Sequence, residues 1–395
     1  MPLYGRRYDT GEPVRFDFSR GRIAQAAVAP AGLRPVESWP WIAPGLLDLQ
    51  ANGYGGQEFS SADLTVAKVA AIVRGYDAFG LVRCCPTLFT QSFEVMQHAL
   101  STIAAACESS PDVARRIAGI HVEGPYLSRE DGPRGAHPAE HCRPPDWDEF
   151  QRFQEAAAGR IRIFTMAVEF DGAPAFVERV AESGVIVAIG HTAADSDQIR
   201  AAVDAGARLS THLGNGAHPM IRRHPNYIWD QLADDRLTAS LIADGHHLPP
   251  AVVKSFVRAK TPGRCILISD ISGLAGLPPG RYEANHAEVE ILPDGRLVVA
   301  GQRQILAGAS RPIGAGVANA MRFAGLDLNT AVRMAVHQPA ALLGVEPGGL
   351  EPGDPGDLVQ FDLVEPPDEN APPRFEVRAT LIDGQVVWGT PRHPV

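Results

Sequence analysis

Apolar runs of strand length alternate with helix-like segments through most of this 395-residue chain. The strand-like runs lie at 116–124, 160–169, 184–191, 207–213, 237–245 and 263–270, and helix-like segments such as 194–206 and 249–260 separate them. Such alternation predicts parallel strands that are covered by helices. Over roughly 300 residues it favours an α/β, TIM-like (β/α)8 barrel. A doubly wound dinucleotide-binding sheet is disfavoured, because no GxGxxG follows a strand.

The two ends of the chain have a different pattern. Short β segments with glycine-containing turns occupy 13–25, 356–365 and 378–389, and no helical segment intervenes within them. We therefore predict a small β-sandwich domain formed by both termini, from residues 1–43 and 346–395, around a barrel of residues 44–345. The stretch 346–357, rich in proline and glycine, is the predicted return linker.

Composition limits the partners and the compartment. The formal net charge is −10 and the chain has no basic tract, which argues against nucleic acid and against an anionic membrane. No apolar run has the length of a signal peptide core or a membrane span. The five cysteines contain no CxxC pair, so reduced thiols are expected. We predict a cytoplasmic protein with a small-molecule ligand.

Four ionisable residues end separate apolar runs, namely Glu123, His191, His212 and Asp270. All strands of a parallel barrel end on the same face, so these side chains are expected to converge. One carboxylate and two imidazoles suit zinc or another divalent transition metal with a position left for water, and a second carboxylate can move the proton. Taken singly, Glu123 could cap a turn and Asp270 could cap a short helix.

Several motifs together resemble one family. They are "APGLLDLQANGYGG" (43–56), "HVEGPYLSREDGPRGAHP" (121–138), "GHTAADSDQIRAAVDAGARLSTHLGN" (190–215), "ADGHHLPP" (243–250), "LISD" (267–270) and "LEPGDPGDLVQFD" (350–362). In this order they resemble the N-acetylglucosamine-6-phosphate deacetylases of the amidohydrolase superfamily, over about residues 43–363.

The resemblance implies a role for each matching residue. It makes Glu123, His191 and His212 the metal ligands and Asp270 the catalytic aspartate. It also implies a substrate-binding set of His137, Asn215, Gly216, His247, Leu306, Ala307 and Gly308. It implies one divalent ion per chain, with zinc expected and iron, manganese or cobalt as alternatives, and a homodimer or higher homo-oligomer.

Many amidohydrolases carry His-x-His at the end of the first barrel strand, where Gln50-Ala51-Asn52 stands here. Neutral amides bind zinc poorly but form hydrogen bonds. We therefore predict the single-metal branch, in which Gln50 and Asn52 occupy a vacated second-metal position and orient Asp270 or the substrate. The alternative is that both amides only satisfy backbone groups in the bend after Gly53.

The segment 212–232 departs from the family pattern, which has a Gly-Arg-x-Pro-Gly piece whose arginine grips phosphate. Here Arg222 and Arg223 precede His224, so Arg223, with Arg222 as the alternative, is the predicted phosphate ligand. Tyr227 and Trp229 fit either a core or interface role or stacking on a sugar. The residues after Asp270 also differ from the family pattern.

Three functions fit the sequence. The first is deacetylation of N-acetylglucosamine 6-phosphate or a close N-acetyl amino sugar. The second keeps the hydrolytic machinery for another N-acyl substrate, such as an N-acyl-D-amino acid. The third is a catalytically silent barrel that acts as a binding protein, which the four intact site residues argue against.

Overall fold

The structure is a computed structural model that describes residues 2–29, 38–284, 288–366, 368 and 371–393. Eight parallel strands follow one another around a nearly closed barrel: β1 Leu46–Ala51, β2 Leu81–Phe89, β3 Ile120–Glu123, β4 Ile161–Met166, β5 Ile186–Ile189, β6 Leu209–Ser210, β7 Thr238–Ile242 and β8 Cys265–Ile268. The predicted (β/α)8 fold class is confirmed.

Amphipathic helices cover the outside of the barrel. They span Val66–Gly75, Phe93–Ser109, Pro111–Arg116, Trp147–Ala156, Ala173–Glu182, Ser196–Asp204, Tyr227–Ala233, Pro250–Lys260, Ile313–Ala324 and Leu328–Leu343. Capping residues determine where such helices begin. The helix after β5 begins with a capping box, because Asp195 accepts from the Gln198 backbone N–H while the Gln198 side chain accepts from the Asp195 N–H.

Strands from both termini form one mixed sheet. Its order is Gln385–Gly389, Arg374–Ile382, Leu358–Val364, Trp41–Pro44, Leu3–Arg7, Pro13–Ser19 and Arg22–Val28. The pairing of Trp41–Pro44 with Leu3–Arg7 is parallel, and the other pairings are antiparallel. The prediction that the two termini build a common β-structure is therefore confirmed.

An inserted sheet of four antiparallel strands follows the last barrel strand. The strands are Gly280–Glu283, Glu288–Ile291, Leu297–Val299 and Gln302–Leu306. A small apolar cluster that includes Val289, Leu297 and Ala307 lies beneath it. The sheet continues directly into residues 306–308, so it connects the wall of the barrel mouth to the last two helices.

Much of the barrel interior is apolar. Alternate residues of several strands fill it, including Leu47 and Leu49 of β1, Ile163 of β4 and Ile266 and Ile268 of β8. These residues leave the carboxyl ends of the strands as the polar face. No helix within the described ranges is long and apolar enough to cross a bilayer.

A buried acid joins the first and last barrel strands, which are not neighbours in the hydrogen-bonded ladder. The Asp48 carboxylate accepts from the Ser269 N–H at 3.2 Å, the Ser269 hydroxyl at 2.5 Å and the Gln50 N–H at 3.1 Å. The backbone continues the junction, since the Asp270 N–H donates to the Gln50 carbonyl at 3.0 Å. Burial raises the pKa of Asp48 to about 7, although these hydrogen bonds oppose the shift.

We expect Asp48→Ala to lower the free energy of unfolding by about 3 kcal/mol, because it leaves buried donors of Ser269 and Gln50 unsatisfied. Urea denaturation measures this change. Asp131→Ala is the control, since the Asp131 side chain is 93% exposed and its loss should change stability by less than about 0.5 kcal/mol. Equal stability of both variants would contradict a structural role for Asp48.

Candidate metal centre and active site

Three ligand-type side chains converge at the carboxyl end of the barrel. Glu123 is the last residue of β3, while His191 and His212 follow β5 and β6 by two residues. The Nε2 atoms of His191 and His212 lie 3.1 Å and 2.8 Å from Glu123 Oε1 and 3.1 Å from each other. All three side chains are buried. This cluster is a candidate metal site, and the sequence-predicted residues are brought together.

The protonation chemistry of the cluster fits a cation. His191 Nδ1 lies 2.8 Å from the Pro133 carbonyl oxygen, which can only accept, so Nδ1 carries a proton and Nε2 is the nitrogen that faces Glu123 and His212. Burial opposes ionisation of Glu123, yet its hydrogen bonds with both histidines hold the pKa of Glu123 well below its usual value. An anionic carboxylate and two imidazole Nε2 atoms that face one point are a donor set for a divalent ion, which would take the place of the Nε2 protons.

Asp270 completes the group from the end of β8. It is partly buried, and this burial, together with the negative charge of Glu123, raises the pKa of Asp270 to about 6. A carboxyl group with a pKa near neutrality can both take and return a proton at physiological pH. Neither Glu123 nor Asp270 is the N-cap of a described helix.

The backbone at three of these residues is strained. His191, His212 and Asp270 have φ values of 51°, 29° and 53°, in the left-handed region that side-chain-bearing residues seldom adopt. Each such residue costs about 1–3 kcal/mol and persists only where its surroundings hold it. The chain therefore bends sharply after each strand, and each bend lies at a site residue.

Two amides at the end of β1, on Gln50 and on Asn52 just after it, hold the acids of the site. Gln50 Nε2 donates to Glu123 Oε2 at 3.1 Å, and Asn52 Nδ2 donates to Asp270 Oδ1 at 2.8 Å. Of the two alternatives raised by the sequence, the structure shows the amide side chains on the site carboxylates. One oxygen of Glu123 thus faces the histidines while the other is fixed by Gln50.

Two further histidines border the site. The Thr90 N–H donates to His137 Nδ1 at 3.4 Å, and the His137 ring lies 4.4 Å from that of His191. His247 Nδ1 lies 2.8 Å from Asp244 Oδ2. Burial alone would raise the pKa of Asp244, but its hydrogen bond and charge interaction with His247 lower it.

A cavity of about 710 Å³ opens onto this cluster. Its lining contains the metal-ligand candidates, Asp270 and the predicted substrate-binding residues His137, Asn215, Gly216, His247, Leu306, Ala307 and Gly308. The arrangement places the Asp270 carboxylate, a candidate cation site and polar side chains around one space that can hold a small molecule.

Comparisons with known proteins agree with this geometry. The sequence model of the Amidohydrolase family matches residues 41–387. N-acetylglucosamine-6-phosphate deacetylase of Bos taurus is 34% identical, over 88% of this chain and 83% of that protein. This chain belongs to the N-acetylglucosamine-6-phosphate deacetylase family of amidohydrolases.

The similarity extends to other members of this family. N-acetylgalactosamine-6-phosphate deacetylase of Escherichia coli O157:H7 is 31% identical over 81% of this chain and 83% of that protein. The structure of N-acetyl-D-glucosamine-6-phosphate deacetylase from Mycobacterium smegmatis superposes with a TM-score of 0.85 at 30% identity, over 98% of this chain and 100% of that one. The family predicted from the motifs is confirmed.

Gly216 shows why this deacetylase-family chain needs a glycine after Asn215. Its φ is +57°, and a Cβ atom there would lie 2.6 Å from Nδ1 of His191. A larger residue would therefore displace a candidate metal ligand. Gly135 also approaches this imidazole, with a Cβ position 3.1 Å from Cε1.

The segment that diverges from the deacetylase family lines the cavity only through its first residues, up to Pro219, and residues 220–232 are not part of the lining. Arg222 and Arg223 are exposed, and neither belongs to the cavity lining. Tyr227 is buried and its hydroxyl lies 3.0 Å from His218 Nδ1, whereas Trp229 is 51% exposed. Neither aromatic side chain lines the cavity, which favours the core or interface role over sugar stacking.

Sequence reasoning missed several polar residues of the site. Arg296 and Arg303 reach the cavity from the inserted sheet, and Asp48 and Asp244 support site residues from behind. The arginines could have been noticed as the cations that precede the recognised "LAG" at 306–308. Asp48 carried no such signal, because it lies inside an apolar run.

Proposed function

We propose that this chain hydrolyses the acetamide of N-acetylglucosamine 6-phosphate, or of its galacto epimer, to acetate and the amino sugar phosphate. The observation that carries the proposal is the convergence of Asp270 with Glu123, His191 and His212 in one cavity. The named deacetylases among its relatives supply the substrate class.

Glu123, His191 and His212 would hold one divalent ion, with zinc expected and iron, manganese or cobalt as alternatives. Such an ion would polarise the amide carbonyl and lower the pKa of water in the site. Gln50 and Asn52 occupy the place of a second ion, and their hydrogen bonds to Glu123 and Asp270 support the single-metal assignment.

Asp270 is the proposed general base and acid. It removes a proton from the attacking water and returns that proton to the nitrogen of the departing amino sugar. Asn52 fixes one oxygen of Asp270, so the other oxygen carries the proton. The hydrogen bond from Thr90 leaves the His137 proton on Nε2, where it can be donated to the developing oxyanion.

The remaining residues would hold the sugar. Asn215, the Gly216 backbone and residues 306–308 line the cavity, and His247 is fixed by Asp244. Arg223 stays a proposed phosphate ligand only across an interface of a homodimer or higher oligomer, for which exposed Met220 and Trp229 give apolar surface. The five free thiols accord with the expected cytoplasmic location.

The test is acetate release by the metal-loaded protein from N-acetylglucosamine 6-phosphate, its galacto epimer, unphosphorylated N-acetylglucosamine and an N-acetyl-D-amino acid. We expect turnover of a phosphorylated amino sugar, with kcat/KM well above that for the unphosphorylated sugar. Turnover of the amino acid derivative alone would favour another N-acyl substrate. No turnover with metal bound would favour a silent barrel.

We expect Asn52→Leu to lower kcat about 10- to 100-fold, as loss of an orienting partner does in metal sites. The hydrogen bond from Asn52 favours the ionised form of Asp270, so its loss raises the pKa of Asp270. The base works when ionised, so activity is lost as pH falls through this pKa. The pH profile of kcat/KM measures the effect.

In the wild type, the acid limb of this profile should lie at or below pH 6, because a bound cation lowers the pKa of Asp270 from about 6. In Asn52→Leu the limb should move to higher pH. Gln97→Leu, at an exposed amide on the helix Phe93–Ser109, is the control. A fall in kcat with an unmoved acid limb would contradict the proposed link to Asp270.

A further inference from the structure

A chain of hydrogen-bonded side chains lies next to the candidate metal centre, inside the barrel. His121 is two residues before Glu123 on β3, and alternate residues of a strand share a face, so the two side chains lie on the same face. His121 Nε2 lies 2.7 Å from the Thr165 hydroxyl oxygen, which lies 2.7 Å from the Thr211 hydroxyl oxygen. All three side chains are buried. His121, Thr165 and Thr211 thus form one continuous network, the His121 network, from β3 through β4 to the end of β6.

The other nitrogen of the His121 ring contacts the first barrel strand. Nδ1 lies 3.0 Å from the Leu49 carbonyl oxygen, which can only accept, so Nδ1 carries a proton. The ladder between β1 and β2 shifts register just after Asp48, so Leu49 lies at an irregular point of the strand. The next residue is Gln50, whose amide donates to Glu123. His121 therefore holds the backbone that directs Gln50 toward a metal-ligand candidate.

The hydrogen bonds of the His121 network run in one direction. Burial lowers the pKa of His121 to about 4, although the charge of Glu123 opposes this shift, so the ring is neutral. With its proton on Nδ1, the ring accepts at Nε2 from the Thr165 hydroxyl. Thr165 has no second hydroxyl proton, so the Thr211 hydroxyl donates to Thr165 Oγ1. Both ring nitrogens are thus occupied, and His121 can orient its partners but has no free atom for a proton transfer.

Two of the metal-ligand candidates are joined to the His121 network by their own chain. Glu123 follows His121 by two residues on β3, and His212 directly follows Thr211 just beyond β6. The backbone at His212 is strained, with a φ of 29°. Such a conformation persists only where neighbouring contacts hold it, and the hydrogen bond of Thr211 is one such contact.

The third candidate, His191, contacts the His121 network through packing. Gly190 directly precedes it, and a Cβ atom at Gly190 would lie 2.8 Å from Thr165 Cγ2 and 2.9 Å from Thr211 Cβ. The backbone before His191 therefore packs tightly against both threonines. A change in the distance between these threonines would move the backbone of His191, whose φ of 51° is also strained.

We propose that His121 is a positioning residue of the metal centre, which acts through Leu49 on one side and through Thr165 and Thr211 on the other. The inference rests on the metal site of the proposed function and extends it to side chains that do not line the cavity. The His121 network would hold the strands at the spacing at which the three ligand candidates face one point. Loss of such an outer-shell partner typically costs 10- to 100-fold in metal affinity or activity.

The test compares metal binding by the wild type, His121→Leu, Thr165→Val, Thr165→Ser and Thr380→Val. Valine keeps the branched shape of threonine but lacks the hydroxyl, whereas serine retains the hydroxyl. Thr380→Val is the matched control, because Thr380 is as buried as Thr165. Its hydroxyl donates to the Asp77 carbonyl oxygen at 2.6 Å, in the mixed sheet of the two termini and outside the cavity lining.

We expect His121→Leu and Thr165→Val to weaken Zn²⁺ binding about 10- to 100-fold, measured by competition with a chromogenic chelator. The visible absorption spectrum of the Co²⁺-loaded protein should change in both variants, because it depends on ligand geometry. Thr165→Ser should restore most of the affinity and the wild-type spectrum. Thr380→Val should lose stability in urea denaturation but keep the wild-type metal affinity. If His121→Leu does not fold, Thr165→Val and its serine rescue still decide the question.

Wild-type Zn²⁺ affinity and an unchanged Co²⁺ spectrum in Thr165→Val would overturn the inference, even if that variant is less stable. Equal weakening of metal binding in Thr380→Val would also overturn it, since the effect would then reflect a general loss of stability. These measurements need no substrate, so the two proposals are separable. A wild type that binds one ion but releases no acetate would refute the proposed function alone, whereas a wild type that binds no ion would overturn both.

Discussion

Asp270→Asn is expected to lower kcat by about 10³-fold or more while the protein keeps its metal. Removal of a general acid and base typically costs 10²- to 10⁴-fold, and Asp270 serves in both proton transfers of the proposed reaction. The substitution retains the shape of the side chain and can keep a hydrogen bond with Asn52. Acetate release and metal content, measured on the same preparation, separate turnover from metal binding.

A matched control for this variant is Asp171→Asn, at an exposed carboxylate remote from the cavity lining. Its kcat should stay near that of the wild type. If Asp270→Asn turned over at a rate near the wild-type value, another residue would have to move the proton. If it lost the metal as well, Asp270 would be a ligand.

His212→Gln is expected to weaken metal binding by more than about 100-fold and to abolish turnover at trace metal. Loss of an outer-shell partner already costs 10- to 100-fold in affinity, and loss of a direct ligand should cost more. A neutral amide is a poor substitute for imidazole. Metal content after dialysis, determined by elemental analysis, measures the effect.

His98→Gln serves as the control, because His98 Nε2 lies 3.0 Å from the Leu64 carbonyl on the helix side of the barrel. This variant should retain both metal and activity. Full metal content in His212→Gln would contradict the assignment of Glu123, His191 and His212 as the ligand set.

The convergence of the site residues at the strand ends was predictable. All strands of a parallel barrel end on one face, which brings residues that are distant in sequence close together. His191 and His212 each follow a buried strand, so their convergence with Glu123 follows from topology alone. The strained backbone of His191 and His212 has no comparable signal, because a left-handed φ at a histidine is set by tertiary contacts.

The inserted sheet was not predicted. Its strands are three to five residues long, and one of them, Gln302–Leu306, is exposed or half-buried throughout. Such segments give neither a buried apolar run nor a clear alternation. Since Arg296 and Arg303 come from this sheet, their place at the cavity could not be inferred either.

The two amides at the end of β1, Gln50 and Asn52, were only partly predictable from the sequence. Two same-face residues at positions 50 and 52 indicated a common target, and the structure resolves it into two targets, Glu123 and Asp270. Asp48 was hidden by its apolar neighbours, although it fixes Ser269, the residue before Asp270. Both contacts join strands that are distant in sequence, which a local pattern cannot show.

The most direct test of the account is a titration of the metal-free wild type with Zn²⁺, Fe²⁺, Mn²⁺ or Co²⁺ during acetate release from N-acetylglucosamine 6-phosphate. A single site at Glu123, His191 and His212 predicts that the rate rises in proportion to added metal and saturates at one equivalent per chain. Saturation only at two equivalents would contradict the single-metal assignment. Absence of acetate release at any loading would contradict the deacetylase function itself.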